Sequence, residues 1–143
     1  MYPINEKVHE LYWEKDINCA GTMLMCLGEL FHVVYEPQVL NSAVGMHGAG
    51  GYRAQCGLVE GALMFIGIYF AMLKVPNQHI VSECCRFAEE FDREFGSLQC
   101  FHLRPTGFGP DDPPHMCEQL TCRAIAFANE FIKNAVRADR FNQ

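Results

Sequence analysis

Apolar side chains recur every three or four residues along most of this chain, and this spacing constrains the fold more than any other feature. In the segment 19–34, for example, Met23, Leu27 and Leu30 share one face of a helix. Few segments alternate with period two, and β-branched residues are sparse. We therefore predict an all-α fold, a single-domain bundle of about five to six helices over residues 1–143 with a Gly-rich loop and a Pro/Gly-rich loop.

Cap and breaker residues set the predicted helix boundaries. Asn18 can cap a helix start, Pro37 can open a helix, and Gly96 suits the position after a helix end. Asp111 or Asp112 can cap the last helix. The predicted helices cover about residues 5–15, 19–34, 37–44, 55–73, 79–95 and 115–137, and the predicted loops cover 48–51 and 103–114.

Composition narrows the classes of function. The 143 residues are 50% hydrophobic and carry a formal net charge of -6, so we expect a folded core and no basic stripe for nucleic acid. No signal peptide is recognised, and the most apolar stretch, 58–73, carries Glu60 and is shorter than the roughly 20 residues of a membrane span. We predict a cytoplasmic protein with no membrane span, in a reducing compartment where its eight cysteines need not form disulfides.

Four of the cysteines fall at predicted helix ends. Cys19, Cys56 and Cys117 stand where helices begin, and Cys100 stands just past the end of one. Unpaired N–H groups and the helix dipole at an N-terminus lower the pKa of a thiol and favour the thiolate, which attacks electrophiles and binds metals. We predict redox or metal chemistry at these four residues, hereafter the site cysteines.

Motif absences exclude several familiar sites. The sequence has no C-x-x-C-H for a c-type haem, no paired C-x-x-C knuckles for zinc and no thioredoxin-type C-x-x-C. Serine-hydrolase and phosphate-loop motifs are absent as well. Any joint site must therefore be assembled by tertiary packing. The remaining cysteines are predicted to be core or spare thiols: Cys26, Cys84, Cys85 and Cys122.

Cys56 is the strongest single candidate, because it follows a glycine-rich loop and opens the most apolar helix. The N–H groups of that loop can form an anion-binding nest around a thiolate or a sulfide-bearing cluster. Gly57 and Gly61 lie on one helix face, where another backbone or a cofactor can approach closely. His47 precedes the loop and could take a proton or add a metal ligand. Glu60 either faces solvent or acts as a buried acid.

Two histidines stand beside site cysteines at the proline-rich loop. His102 follows Cys100 by two residues, and His115 precedes Cys117 by two. A C-x-H paired with an H-x-C offers soft and borderline ligands to zinc or iron. We favour surface positions for the two histidines and a functional role for the two cysteines.

An ordered set of motifs spans most of the chain. It comprises Asn18-Cys19-Ala20, Gly48-x-Gly, Cys56-Gly57-Leu58-Val59-Glu60-Gly61, Phe91-x-x-x-Phe95-Gly96-Ser97-x-x-Cys100 and Cys117 at the start of the last helix. This set resembles the C_GCAxxG_C_C family of redox-active proteins over about residues 19–131. The family's four shared cysteines match the site cysteines. A related helical domain of split-Soret cytochrome c holds an iron–sulfur-type centre through cysteines.

The resemblance implies a redox role for the site cysteines. By this resemblance Cys56, Cys100 and Cys117 would be the cluster ligands, with Cys19 nearby, and haem c would be absent. Gly57 is the glycine of the shared motif and would lie beside the cofactor. The motif also departs from the family, since Leu58 replaces a small alanine and can narrow the room beside Cys56.

Three hypotheses follow. In the leading one, Cys56, Cys100 and Cys117, with Cys19 and His47 as further ligands, bind an iron–sulfur cluster or another metal such as zinc, for electron transfer with a redox partner protein or for redox sensing. In the second, Cys56 attacks and Cys100 or Cys117 resolves in metal-free thiol–disulfide chemistry. In the third, the protein is a non-enzymatic interaction module with structural zinc, and its Phe- and Met-rich faces support a homodimer. Whether the protein is an enzyme is left open.

Overall fold

Residues that cap or break helices divide the chain into the helices of an all-α architecture. The computed structural model describes residues 1–105 and 107–138. Among these residues no strand forms beyond one isolated antiparallel bridge, so the all-α prediction is confirmed. The helices are α1 (Ile4–His9), α2 (Cys19–Phe31), α3 (Pro37–Ser42), α4 (Gly48–Gly51), α5 (Gly57–Met72), α6 (Asn77–Phe95), α7 (Cys100–Leu103) and α8 (Glu118–Arg137), with a π-helical segment at Glu10–Glu14.

Three of the predicted caps are confirmed. The side chain of Asn18 accepts a hydrogen bond from the backbone N–H of Gly21 at 2.8 Å and so caps α2. Pro37 stands in the first turn of α3, where its missing N–H is not needed. Gly96 ends α6 in a left-handed conformation with φ 89°.

The predicted cap of the last helix is wrong. Helix α8 follows Cys117 directly and has no side-chain cap, so neither Asp111 nor Asp112 caps it. Asp112 instead accepts a hydrogen bond from the N–H of Gly109 at 2.6 Å and pairs with Arg104 at 3.6 Å. A tertiary partner therefore holds this carboxylate inside the loop, away from the helix it was expected to begin.

The first helix is not regular α-helix throughout. After α1 the backbone continues as a π-helix, with the N–H of Lys15 donating to the carbonyl of Glu10 at 3.2 Å. The wider turn leaves Leu11 and Tyr12 both buried. The hydroxyl of Tyr12 then meets that of Thr121 on α8 at 2.6 Å. The π-helical turn thus brings an aromatic side chain toward the start of the last helix.

Close packing of α2 on α5 forms the centre of the core. A Cβ placed on Gly61 would lie only 2.6 Å from the carbonyl oxygen of Ala20, so the predicted close approach of another backbone is confirmed. Helix α5 also packs on α6 and α8, and α1 and α2 pack on α8. No helix within the described ranges is both long enough and apolar enough to cross a membrane.

The glycine-rich segment breaks regular structure, as predicted. Gly48, Ala49, Gly50 and Gly51 all have positive φ values, between 57° and 87°. α4 is therefore one left-handed turn rather than a normal α-helix. Beyond α7 the described part of the second loop is non-helical up to residue 117, so the predicted loop is confirmed but α8 begins three residues after the predicted position 115.

Candidate four-cysteine site

Every site cysteine stands at the start of a helix. Cys19 is the first residue of α2, and Cys56 and Cys117 immediately precede α5 and α8. Cys100 lies past the end of α6, as predicted, and is also the first residue of the short helix α7. Four separate segments therefore each contribute one thiol from a helix start.

The structure brings the four thiols into mutual electrostatic range. Cys56, Cys117 and Cys100 each raise the pKa of Cys19. Cys100 and Cys117 raise the pKa of Cys56, and Cys100 raises the pKa of Cys117. Every pair within the set interacts, although the four residues span almost a hundred positions of sequence. They form one cluster, whereas the remaining cysteines lie elsewhere.

Burial reverses the predicted direction of the thiol pKa values. Desolvation is the largest cause in each case and raises the pKa of Cys19 to about 12 and that of Cys56 to about 11. The backbone N–H groups of Leu58 and Val59 act in the opposite direction on Cys56 but are outweighed. The expectation that helix starts would lower these pKa values is therefore wrong. The desolvation penalty of a buried thiolate is larger than the stabilisation that the helix N-terminus provides.

A short antiparallel contact fixes Cys56 beside Cys100. The N–H of Cys56 donates to the carbonyl of Leu98 at 2.8 Å, and the N–H of Cys100 donates to the carbonyl of Ala54 at 2.7 Å. The residues that follow Ala54 and Leu98 form the isolated bridge between the two segments. Two backbone hydrogen bonds therefore set the register of two site cysteines, through a contact that no sequence pattern indicated.

Two glycines make room for site sulfur atoms. A Cβ on Gly57 would lie 2.3 Å from Sγ of Cys19, and a Cβ on Gly48 would lie 3.3 Å from Sγ of Cys100. Gly48 also has φ +64°, which disfavours any larger residue. Gly57 was expected beside a cofactor, and the structure places it against the thiol of Cys19.

Two arginines stand near Cys100 and were not predicted. Arg104 and Arg53 each lower the pKa of Cys100, although burial is the larger influence and raises it. Their guanidinium groups stack on the ring of Phe108 at 4.5 and 4.1 Å from its centroid. In the sequence the two arginines follow the glycine-rich turn and α7 as isolated charges, so no local pattern marks them as a pair.

A cavity of about 710 Å³ opens beside the cluster, hereafter the thiol cavity. Three of the site cysteines line it, namely Cys19, Cys100 and Cys117, together with both arginines. Cys56 is only 5% exposed and does not line the cavity. The cluster therefore has one open side and one side enclosed by protein.

His47 lines the thiol cavity and is held by the cap of α2. Nδ2 of Asn18 donates to Nδ1 of His47 at 3.1 Å. In the glycine-rich turn, the N–H groups of Gly50 and Gly51 donate to the carbonyl groups of Gly45 and His47 at 2.9 Å, so these two N–H groups take no part in the predicted anion nest. The metal-ligand role suggested for His47 stays a prediction.

The two histidines of the second loop differ from each other. His102 is exposed and lies 3.4 Å from the hydroxyl of Ser97, as expected for a surface residue. His115 is half-buried, stacks on Tyr12 at 5.0 Å and meets Trp13 edge-on at 4.8 Å. The surface position expected for His115 is therefore wrong, because aromatic rings from the first helical region cover it.

The remaining cysteines occupy ordinary positions. Cys26 is fully buried in the core, and Cys84 and Cys122 are half-buried. Cys85 is exposed and its thiol lies 3.7 Å from the carboxylate of Glu89. All eight cysteines are free thiols. The expectation of core or spare thiols for this second set is consistent with these positions.

Glu60, one helical turn after Cys56, is held by the side chain of a nearby residue. It is half-buried, and its carboxylate accepts a hydrogen bond from the side-chain amide of Gln55. The contact holds Glu60 against the segment that enters α5.

The site cysteines are close without forming a closed metal cage. Within residues 1–105 and 107–138, no three His, Cys, Asp or Glu side chains are arranged to hold one metal ion. The arrangement can nevertheless supply thiol ligands or exchangeable thiols from four directions.

Comparison with known proteins identifies the family. The family model described as "Putative redox-active protein (C_GCAxxG_C_C)" matches residues 17–131, which include all four site cysteines. Comparisons with curated proteins and with solved structures gave no match. The chain belongs to the C_GCAxxG_C_C family.

Proposed function

We propose that the site cysteines bind an iron–sulfur centre and that the protein is an electron carrier or redox sensor. The observation that carries this proposal is the mutual electrostatic interaction of all four thiols, which converge from four helix starts. Four thiols in one cluster, one buried and three half-buried, suit soft metal centres that require thiolate ligands. Membership of the family described as redox-active supports the same chemistry.

The surroundings of the thiols fit such a centre. Burial keeps the free thiols protonated, so a bound cation would replace protons and binding would release them. Arg53 and Arg104 stand on the side of Cys100 and would offset part of the negative charge that thiolates bring. Gly48 and Gly57 leave space at two of the sulfur atoms.

A centre with several metal atoms suits the arrangement better than a single zinc ion. Zinc holds its sulfur ligands at about 2.3 Å, so four thiolates on one ion lie within about 4 Å of one another. No three side chains in the described ranges meet that requirement for one ion. A larger centre bridges thiolates that stand farther apart, and this favours iron–sulfur over structural zinc.

The roles of individual residues follow from their positions. Cys56, Cys100 and Cys117 would hold the centre, with Cys19 as the fourth thiol beside them. When bound, such a centre supplies reversible uptake and release of one electron. Cys56 lies on the enclosed side and keeps water away from one face, whereas Cys100 lies near the two arginines on the open side. The redox partner protein and the homodimer remain predictions.

The decisive experiment is anaerobic purification with iron, zinc and acid-labile sulfide analysis and an absorption spectrum. We expect more than one iron per chain and charge-transfer bands that bleach on reduction. Cys56→Ser should lose most of the iron, while the matched control Cys85→Ser should retain it, because Cys85 is exposed on α6. Absence of iron and sulfide from the anaerobic protein, including after reconstitution, would overturn the proposal.

Metal-free thiol–disulfide chemistry is the second candidate function. The surroundings of the thiols favour Cys100 over Cys56 as the attacking residue. Burial raises the pKa of Cys100, but this thiol is half-buried and two arginines act in the opposite direction, whereas Cys56 is enclosed. Cys100 is therefore the better attacking thiol. A dithiol would become a disulfide and pass two electrons and two protons to an oxidant. Reversible loss of two thiols without metal, abolished by Cys100→Ser, would establish this function.

A further inference from the structure

The thiol cavity is larger and more apolar than a thiol site alone requires. Its volume of about 710 Å³ falls in the range of pockets that enclose small organic molecules. Aliphatic and thioether side chains from α2, α3 and the segment after α3 form much of its wall. These residues are Met25, Leu40, Ala43 and Val44. A wall of this kind fits the hydrocarbon body of a ligand.

The charged groups at the cavity are mainly cationic, although the chain as a whole is acidic. Arg53 and Arg104 both line it, in a protein of formal net charge -6. The acidic side chain in the lining, Asp16, is 96% exposed and lies 3.9 Å from His115. Asp112, outside the lining, pairs with Arg104 at 3.6 Å, so the local preference for an anion rests mainly on Arg53.

The arginines retain donors for a ligand. Each guanidinium stacks a face on Phe108, which leaves the N–H groups at its edges free to point elsewhere. Arg104 directs Nη2 to Asp112 and Met116 at 3.6 Å. Its Nε is buried and has no hydrogen-bond partner in the part of the chain that the structure describes. Because this Nε has almost no exposed surface, a ligand in the cavity would meet the Nη groups of the arginines instead.

We infer that the thiol cavity binds a small organic carboxylate, with its carboxylate between Arg53 and Arg104 and its apolar body against the wall of α2 and α3. A guanidinium matches a carboxylate through paired N–H groups, and the apolar wall favours anions that carry a hydrocarbon part. The bound molecule would lie beside Cys100 and Cys117. The inference goes beyond the proposed redox centre, because recognition of the anion requires the arginines and the wall rather than a metal.

The test is calorimetric titration of the anaerobically purified full-length protein with 4-phenylbutyrate and with its neutral amide, 4-phenylbutanamide. The two probes share one apolar body and differ in charge. We expect the acid to bind about tenfold or more tightly than the amide, as charge-assisted hydrogen bonds to arginine provide. Inorganic phosphate, which has no apolar body, should bind more weakly than the acid.

Variants then locate the site. Arg53→Gln should weaken acid binding about tenfold and leave amide binding unchanged. Arg93→Gln on α6 is the matched control and should change neither, because Arg93 lies outside the cavity. Arg104→Lys retains the charge and should weaken acid binding less than Arg104→Gln, with circular dichroism confirming that each variant is folded.

The inference and the proposed function can fail separately. Equal affinity for acid and amide, no detectable acid binding at millimolar concentration, or equal effects of the Arg53 and Arg93 variants would overturn the carboxylate site whatever the iron content. Tight and selective acid binding by a protein that takes up no iron would leave this inference standing and would overturn only the redox centre.

Discussion

The chain carries two sets of four cysteines, and they differ in where they stand on their helices. The site cysteines occupy helix starts, and every pair interacts. The remaining cysteines lie within helices, at positions that range from the fully buried Cys26 to the exposed Cys85. Residue type is identical in the two sets. The difference teaches that convergence of helix starts, rather than the number of cysteines, creates the site.

Two helices, α2 and α8, each have a site cysteine at the start and another cysteine inside, which allows a direct comparison. Cys19 and Cys26 both lie on α2, seven residues apart, yet only Cys19 meets the other site thiols. Cys122 lies inside α8, five residues beyond Cys117, and raises the pKa of Cys26, which lies outside the cluster. One or two helical turns therefore separate a site thiol from a core thiol.

Thiol reactivity should separate the two sets by the largest factor. Because burial raises the pKa of Cys19 to about 12 and that of Cys56 to about 11, their thiolate fractions at pH 8 are lower than that of an ordinary thiol by about a hundredfold or more. Alkylation of the metal-free reduced protein, followed by mass spectrometry, should label Cys85 at least about a hundredfold faster than either. Labelling of Cys56 as fast as Cys85 would show that the helix start dominates after all.

Filling the space at Gly57 should give the next largest effect, measured as the free energy of unfolding. Gly57→Ala places a Cβ against Sγ of Cys19 and close to two backbone atoms, so the free energy of unfolding should fall by about 2–3 kcal/mol. Gly67→Ala on the same helix meets no atom within 4 Å and should raise it by about 0.5–1 kcal/mol. Urea denaturation of the two variants measures both. Equal effects would mean that Gly57 is not packed against the site.

Alkaline pH should give a third difference between the sets. An unfolded thiol loses its proton near pH 8.5, but Cys56 in the folded protein holds its proton to about pH 11. Stability from this protonated thiol is therefore present below about pH 8.5 and is lost as pH rises through 11. The loss follows a slope of about 1.4 kcal/mol per pH unit for each buried thiol.

Urea titrations of metal-free protein between pH 8.5 and 10.5 measure this slope. Cys56→Ser should reduce it, and Cys85→Ser should leave it unchanged. Tyr12 also has a pKa well above its usual value through burial, but both variants retain it. The burial argument would be refuted by a slope that the Cys56 substitution does not alter.

Local signals were sufficient for much of the fold. The cap at Asn18, the proline at the start of α3 and the glycine that ends α6 act through their own backbone neighbours, and each prediction is confirmed. The prediction for Asp112 is wrong because its partner, Arg104, comes from another part of the loop. No sequence pattern indicated the π-helical turn after α1, since the turn places Tyr12 against α8, a helix that is distant in sequence.

The four cysteines of the candidate site could be predicted from the sequence, but the residues that surround them could not. The four site cysteines stood out because their positions at helix ends can be read along the chain, and the structure brings them together. Arg53 could not be identified, because its proximity to Cys100 arises from a backbone contact between distant segments. His115 was misassigned for a similar reason, since Tyr12 covers it from more than a hundred residues away.

The sequence by itself determined the all-helical architecture, the main helix boundaries and the identity of the four thiols. These depend on periodicity and caps, which act over a few residues. Only the tertiary structure decided the direction of the thiol pKa values, the arginine pair and the cavity beside the cluster. Those properties depend on how much water the fold removes and on which distant charges it places nearby, and neither quantity is encoded within a single helical turn.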